Sequence, residues 1–329
     1  MSAGMRSARL VGIRQLEVDR VPVPRPKAGE IQVRIEACGV CATDSRKYEI
    51  GVNDGHYPFN PGHEWLGEVS EVGSGVTGFK AGDRVYGDTY GGYADYATIP
   101  VMPLDWSRGP MLLPRSLDVR RAIFIEPLAD CIHAVRDQAR LLSGGKLVVI
   151  AAGVMGLKII ADAARTGCEV LAVEPLAERQ SVALQFGAAA VSSPDSWIDD
   201  VKSWTGGVGA DAVILTIGNP DLVMPAISAA RPGGRVVLFA GFGNRREAVI
   251  DLNDIHYREI ELIGSEWIGT PPNQRRHRYD EALQFLMDPH VPFESLVTST
   301  CGFATLETAL RTRQNFTGLK IMFTPDPET

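Results

Sequence analysis

The amino-acid sequence predicts an α/β protein in two parts, a β-rich domain of short strands and a doubly wound parallel sheet with helices on its faces. Three observations carry that prediction. From Met1 to about Ala122 the apolar runs are short and repeatedly cut by Gly and Pro, the mark of many strands joined by tight turns. Residues 147–174 then read as strand, glycine turn, helix, strand and acid. Beyond them apolar runs alternate with helical stretches, as a doubly wound sheet requires. A chain of 329 residues, 45% hydrophobic, is long enough for both parts.

In the β-rich part, Ile31-Gln32-Val33-Arg34-Ile35-Glu36-Ala37 alternates as a strand with one face inward, which makes Cys38 an inward residue at its end. Turn signals stand at Val21-Pro22-Val23-Pro24-Arg25-Pro26, Ala28-Gly29-Glu30 and Val72-Gly73-Ser74-Gly75-Val76. The character changes after Pro127. Residues 131–135 belong to a helix expected to end at Ser143-Gly144-Gly145, and Leu147-Val148-Val149-Ile150 is a buried parallel strand.

The segment Ala151-Ala152-Gly153-Val154-Met155-Gly156 leads into a helix through Arg165, and the strand at residues 169–173 is closed by Glu174, about 20 residues beyond the glycines. This is a dinucleotide-binding arrangement. Gly153 lets the backbone approach a pyrophosphate, the helix start at Val154 and Met155 receives it, and Gly156 lets helix and strand pack closely. Ala151 replaces the first glycine of the usual triplet, so some backbone adjustment is expected there. The Glu174 carboxylate can accept hydrogen bonds from ribose hydroxyls and repels a 2′-phosphate, which favours NAD over NADP. Residues 212–215, 236–239 and 260–263 are further strands. Thr216, Ile217 and Ala240 follow two of them and are candidate neighbours of a nicotinamide, or ordinary turn residues.

The residues that carry chemistry are Cys41, the adjacent His63 and Glu64, and Glu126. Each has a bland reading by itself: a small buried hydrophobe, a turn histidine, a carboxylate at a helix start. Together, thiolate, imidazole and carboxylate suit Zn²⁺, and a catalytic site needs about three protein ligands and one open position. Cys38 and Cys41 also form a C-x-x-C, whose alternative reading is a redox dithiol.

The surrounding words settle the company these residues keep: Gly39-Val40-Cys41-Ala42-Thr43-Asp44, Tyr57-Pro58, Pro61-Gly62-His63-Glu64, Gly67-Glu68-Val69 and Gly78-Phe79-Lys80-Ala81-Gly82-Asp83-Arg84-Val85. They continue with Gly91-Gly92-Tyr93-Ala94-Asp95-Tyr96, Glu126-Pro127-Leu128-Ala129 and Arg231-Pro232-Gly233-Gly234-Arg235-Val236-Val237. In this order, over nearly the whole chain, they resemble the zinc-containing medium-chain dehydrogenase/reductase superfamily, the alcohol, sorbitol and threonine dehydrogenases. The resemblance implies a GroES-like catalytic domain at 1–127, a Rossmann NAD-binding domain at 128–265 and a return to the catalytic domain at 266–329, with the active site in the cleft between domains. It implies one catalytic zinc held by Cys41, His63 and either Glu64 or Glu126. The reaction it implies is oxidation of a secondary alcohol, a polyol, cyclitol or sugar-like compound, by hydride transfer to NAD⁺.

The same resemblance places Thr43 as the first hydroxyl of a proton relay and Arg179 where the family carries an arginine whichever cofactor is used. Two departures stand out. Arg46 occupies the position where alcohol dehydrogenases often have a proton-passing histidine, and an arginine is never a base; it can pair with Asp44, a cofactor phosphate or a substrate carboxylate. Between Gly87-Asp88 and Gly91 only Thr89-Tyr90 replaces the four-cysteine lobe of the alcohol dehydrogenases, which implies no structural zinc. Tyr48, Tyr57, Phe59, Trp65 and Trp267 are candidates for the substrate pocket. The alternatives are a zinc-free quinone or enoyl reductase of the same fold and a catalytically silent nucleotide-binding protein.

Composition excludes little more. A net charge of -7, with only the short basic cluster Arg275-Arg276-His277-Arg278, argues against a nucleic-acid surface. The start of the chain lacks the apolar run of a signal peptide, and no apolar stretch reaches the roughly 18 residues of a membrane span, so a cytoplasmic protein is expected. Five scattered cysteines make no disulfide framework. The expected partners are a small-molecule alcohol or ketone and further copies of the chain, as a dimer or tetramer.

Overall fold

The computed structural model describes residues 4–52, 55–101, 109–313 and 318–325. The chain divides into two compact units, 1–126 with 272–329, and 127–271.

The first unit opens with the hairpin β1 (Gly4–Gly12) and β2 (Gln15–Pro22), followed by the long strand β3 (Glu30–Val40). Alternation forms β3, and Ile31, Val33, Ile35 and Ala37 are buried along one face. At its far end Cys38, Gly39 and Val40 are buried in succession. Helix α1 (Ala42–Ile50) follows, then β4 (Glu64–Val72), β5 (Arg84–Gly87), β6 (Tyr96–Pro100) and β7 (Met111–Leu112). A short α2 (Val119–Ala122), N-capped by Asp118, precedes α3 (Ile125–His133).

Helix α3 is shorter than the sequence suggests. A π-helical turn, Ala134–Gln138, takes over after His133, and its wide turn is closed by the Ala139 N–H donating to the Ala134 carbonyl at 2.8 Å. The His133 ring is held there by Asp137 at 2.8 Å and Gln138 at 2.9 Å.

The second unit is built on β8 (Lys146–Ile150), α4 (Val154–Arg165), β9 (Glu169–Val173), α5 (Ala177–Gln185), β10 (Ala190–Ser192) and α6 (Trp197–Trp204). It continues through β11 (Ala210–Leu215), α7 (Val223–Ala229), β12 (Ala230–Leu238), α8 (Leu252–Arg258) and β13 (Glu261–Gly264). All neighbours are parallel in the order β10-β9-β8-β11-β12-β13. The chain therefore starts in the middle and reverses direction between β8 and β11, the switch point where such sheets take dinucleotides. Leu147, Val148, Val149 and Val213 are fully buried, as strands covered on both faces must be. Residues 266–271, assigned by the sequence to the returning segment, stay with this unit. The Ser265 N–H bonds to the Leu238 carbonyl at 3.0 Å, and Trp267 stacks on His133 at 4.8 Å.

The chain re-enters the first unit with α9 (Pro272–Leu286), β14 (Val297–Cys301), α10 (Leu306–Thr312) and β15 (Lys320–Phe323). These strands complete a seven-stranded sheet, β14-β15-β3-β4-β5-β7 with β6 on β3. Gly39 of β3 consequently lies opposite Glu64 on one side and Met322 on the other. No helix among the described residues is long and apolar enough to cross a membrane.

Candidate metal centre and cofactor site

Cys41 stands at the junction of β3 and α1, where it is the N-cap residue, with extended backbone and its side chain free of capping duty. His63 and Glu64 come from the Pro61-Gly62 turn and the first residue of β4. Gly62 is required in that turn: its φ is +89°, and a Cβ there would lie 2.9 Å from the Tyr93 nitrogen. One donor atom each of Cys41, His63 and Glu64 lies within 4.8 Å of the others. Thiolate, imidazole and carboxylate converging at that spacing fit a zinc ion.

Asp44 orders this group from behind. Its carboxylate is fully buried, 3.3 Å from His63 Nδ1, and accepts from the Gly62 N–H at 3.0 Å and from the Tyr93 hydroxyl at 3.2 Å. With Nδ1 engaged, Nε2 is the nitrogen left to a metal, the arrangement that fixes ring orientation and tautomer in metal sites. Burial by itself would raise the Asp44 carboxyl, but the His63 imidazole and these donors hold it below the ordinary value. Burial would likewise lower His63, yet the Asp44 carboxylate and Cys41 keep the imidazolium well above its usual range. Asp44 thus does not pair with Arg46, an exposed residue like the neighbouring Thr43.

Glu64 has a partner that the sequence reading missed. Lys320, the first residue of β15, places its buried ammonium against the Glu64 carboxylate, itself only 1% exposed. Against burial, which lowers it, Glu64 and Cys41 hold the Lys320 ammonium above its ordinary value. The pair fits because residue 39 is glycine: a Cβ there would sit 2.0 Å from Glu64 Oε2 and 2.8 Å from Lys320 Cε. No local spacing announces a partner 256 residues away. Glu126 lies in the first turn of α3, half-buried, its backbone N–H meeting the Tyr86 hydroxyl at 3.2 Å. It is not in the three-residue group. Tyr86 lies in the field of both carboxylates: burial raises its hydroxyl, and the charges of Glu126 and Glu64 raise it further.

The expected pocket aromatics separate. Trp65 is core, its Nε1 donating to the Thr89 carbonyl at 2.6 Å, and the Tyr48 hydroxyl donates to Glu307 at 2.9 Å. The Tyr57 hydroxyl is buried without a hydrogen-bond partner among the described residues. Phe59 is near the metal group, joined to it by Tyr90, whose ring meets Phe59 at 4.9 Å and the His63 imidazole at 5.3 Å.

In the second unit the glycine turn ends β8. Ala151 adopts φ +74°, the conformation that the missing glycine would supply. Gly153 N-caps α4, whose first turn carries Val154 and Met155, and Gly156 is obligatory, because a Cβ would lie 2.1 Å from the Ala151 carbonyl oxygen. Glu174, at the end of β9, is buried and accepts from the Ala152 N–H at 2.9 Å and the Leu176 N–H at 3.1 Å. Thr216 braces the turn, its hydroxyl 2.8 Å from the carbonyls of Ile150 and Ala151. Ile217 is 46% exposed, Ala240 half-buried beyond β12, and Arg179 half-buried on α5.

Comparison with known proteins matches both units. Residues 27–104 match the alcohol dehydrogenase GroES-like domain, and residues 153–288 the zinc-binding dehydrogenase family. The chain is 27% identical to the sorbitol dehydrogenase of Bacillus subtilis over 98% of each chain. It is 27% identical to the 2-dehydro-3-deoxy-L-galactonate 5-dehydrogenase of Pseudoalteromonas atlantica, over 93% of this chain and 94% of that one. In fold it resembles a protein of Sinorhizobium meliloti 1021 described as a zinc-binding dehydrogenase and bound to NADP (TM-score 0.86, 23% identity, 98% of this chain and all of that one). The chain belongs to the zinc-containing medium-chain dehydrogenase superfamily, oxidoreductases that use zinc and a nicotinamide cofactor.

Proposed function

We propose that this protein is a zinc-dependent, NAD-linked dehydrogenase that oxidises a secondary alcohol of the polyol, cyclitol or sugar-like class to a ketone. The observation that carries the reading is the convergence of Cys41, His63 and Glu64 within 4.8 Å, with Asp44 behind the imidazole. A zinc ion bound there supplies Lewis acidity, which lowers the pKa of an alcohol and favours loss of its hydride.

The protein's own residues supply the rest. Cys41 and His63 would hold the metal, with Glu64 the carboxylate in reach and Glu126 the second carboxylate near it. Thr43, exposed in the first turn of α1, would carry the alcohol proton outward, while Arg46 holds its own proton and cannot accept another. Glu174 favours NAD by facing a 2′-phosphate with negative charge. The names of relatives that act on sorbitol and on a sugar acid support a substrate with several hydroxyls. Without the four-cysteine lobe we assign a single zinc per chain, and assembly into a homo-oligomer.

Elemental analysis of the purified protein tests the reading. About one zinc per chain, with polyol-dependent reduction of NAD⁺, supports it. Protein never exposed to a chelator that carries no zinc, and reduces enones with NADPH, replaces it with a zinc-free reductase.

A further inference from the structure

We propose that Lys47 binds an anionic group, a carboxylate or a phosphate, carried by the substrate alcohol, so that a polyol acid or polyol phosphate is preferred to the neutral polyol. The inference rests on the dehydrogenase reading above and names the substrate class of that site. Lys47 lies on α1, the helix whose N-cap is Cys41. Its ammonium stands 5.3 Å from the centroid of Phe59 and 5.2 Å from that of Tyr90, and Tyr90 in turn meets the His63 imidazole edge-on at 5.3 Å. A half-buried positive charge is thus held beside the metal group by two rings.

Among the described residues no carboxylate lies within ion-pair distance of Lys47. By contrast, Arg6, Arg84, Arg121 and Lys320 of the same unit meet Asp95, Glu36, Glu294 and Glu64. The acids of its own helix are committed elsewhere: Asp44 to His63, Gly62 and Tyr93, and Glu49 to Arg14 at 2.7 Å. Arg46, adjacent and exposed, adds a second positive charge to the field. The ring faces stabilise the ammonium and leave its N–H donors for an incoming oxygen anion, which would gain a charge-assisted hydrogen bond. The reaction itself is unaltered. The hydride still passes from the hydroxyl-bearing carbon to the nicotinamide and the hydroxyl proton to solvent, while the anion contributes to binding.

The zinc-loaded wild type, Lys47→Met and Lys47→Arg are assayed with NAD⁺ and NADP⁺ on three probes, a neutral hexitol, the corresponding aldonate and the hexitol phosphate. The wild type is expected to favour one anionic probe over the hexitol in kcat/KM by roughly tenfold or more, the scale of a hydrogen bond to a charged group. The aldonate and phosphate arms tell which anion it is. Lys47→Met should erase that preference, chiefly by raising KM, and Lys47→Arg should keep most of it. Salt raised from about 0.05 to 0.5 M should weaken it in the wild type. A wild type that prefers the neutral hexitol to both anions overturns the inference and leaves the dehydrogenase standing, as does a Lys47→Met that slows all three probes by one factor. Protein that oxidises none of the three overturns both.

Discussion

Lys320 on the last strand of the sheet neutralises Glu64, the carboxylate next to the histidine of the metal group, and both side chains are almost fully buried. Removing one member of a buried pair leaves the other charge stranded, at a cost of about 3–5 kcal/mol. Lys320→Met and Glu64→Gln should therefore each lower the urea midpoint strongly, and the double variant should lose much less than the sum. Additive losses in this double-mutant cycle would show that the two groups do not interact.

Asp44 faces the Nδ1 side of His63, the imidazole of the candidate metal group. Asp44→Asn keeps the shape but removes the charge facing Nδ1, and zinc affinity should fall about 10–100-fold. Competition with a calibrated chelator measures it, and turnover should return when zinc is raised. Unchanged affinity would remove Asp44 from the metal site.

Cys41 is only half-buried and its side chain caps nothing, so Cys41→Ser should leave the unfolding free energy from urea titration within about 1 kcal/mol of wild type. Bound zinc and NAD⁺-linked turnover should both disappear. Retention of zinc by this variant would move the metal elsewhere.

Glu174 accepts from the N–H of Ala152 in the glycine turn, and on the reading proposed above its charge also disfavours a 2′-phosphate. Glu174→Ser should reduce discrimination against NADP⁺ at least about tenfold, the effect of removing one like charge near a 2′-phosphate. It should also lower the melting temperature, because the Ala152 N–H loses its acceptor. A wild type that already binds NADP⁺ as tightly as NAD⁺ sinks the assignment.

Asp211 gives the second unit a pH dependence. Burial tends to raise it, but the Lys146 N–H at 2.7 Å and the Arg231 guanidinium at 2.6 Å hold it below 3.8. A depressed carboxyl contributes stability above its unfolded value and loses it as pH falls through the folded one. Asp211→Asn should therefore be less stable than wild type at pH 7, with the gap between urea midpoints closing below pH 3.8. A gap independent of pH would remove the carboxylate from the effect.

The sequence by itself determined the elements and the chemistry they carry. Periodicity marks β3 and β8, since alternation and continuous burial are properties of a few adjacent residues. The glycine turn and Glu174 are legible for the same reason: a strand, a tight turn and a helix start fall within one short segment. Cys41, His63 and Glu64 were legible because their residue types are rare together and their flanking words are local. What the sequence left open was decided by side chains far apart in the chain. β15 pairs with β3, and only that pairing brings Lys320 to Glu64 across Gly39. Folding of α1 against the Gly62 turn turned Asp44 from a candidate partner of Arg46 into the support of His63, and set Lys47 over the rings of Phe59 and Tyr90. Likewise Trp65 became core and Thr216 a brace. Pairing in a sheet is long-range, and the partner of a buried charge is fixed by which strands meet, a matter of topology that no stretch of neighbouring residues encodes.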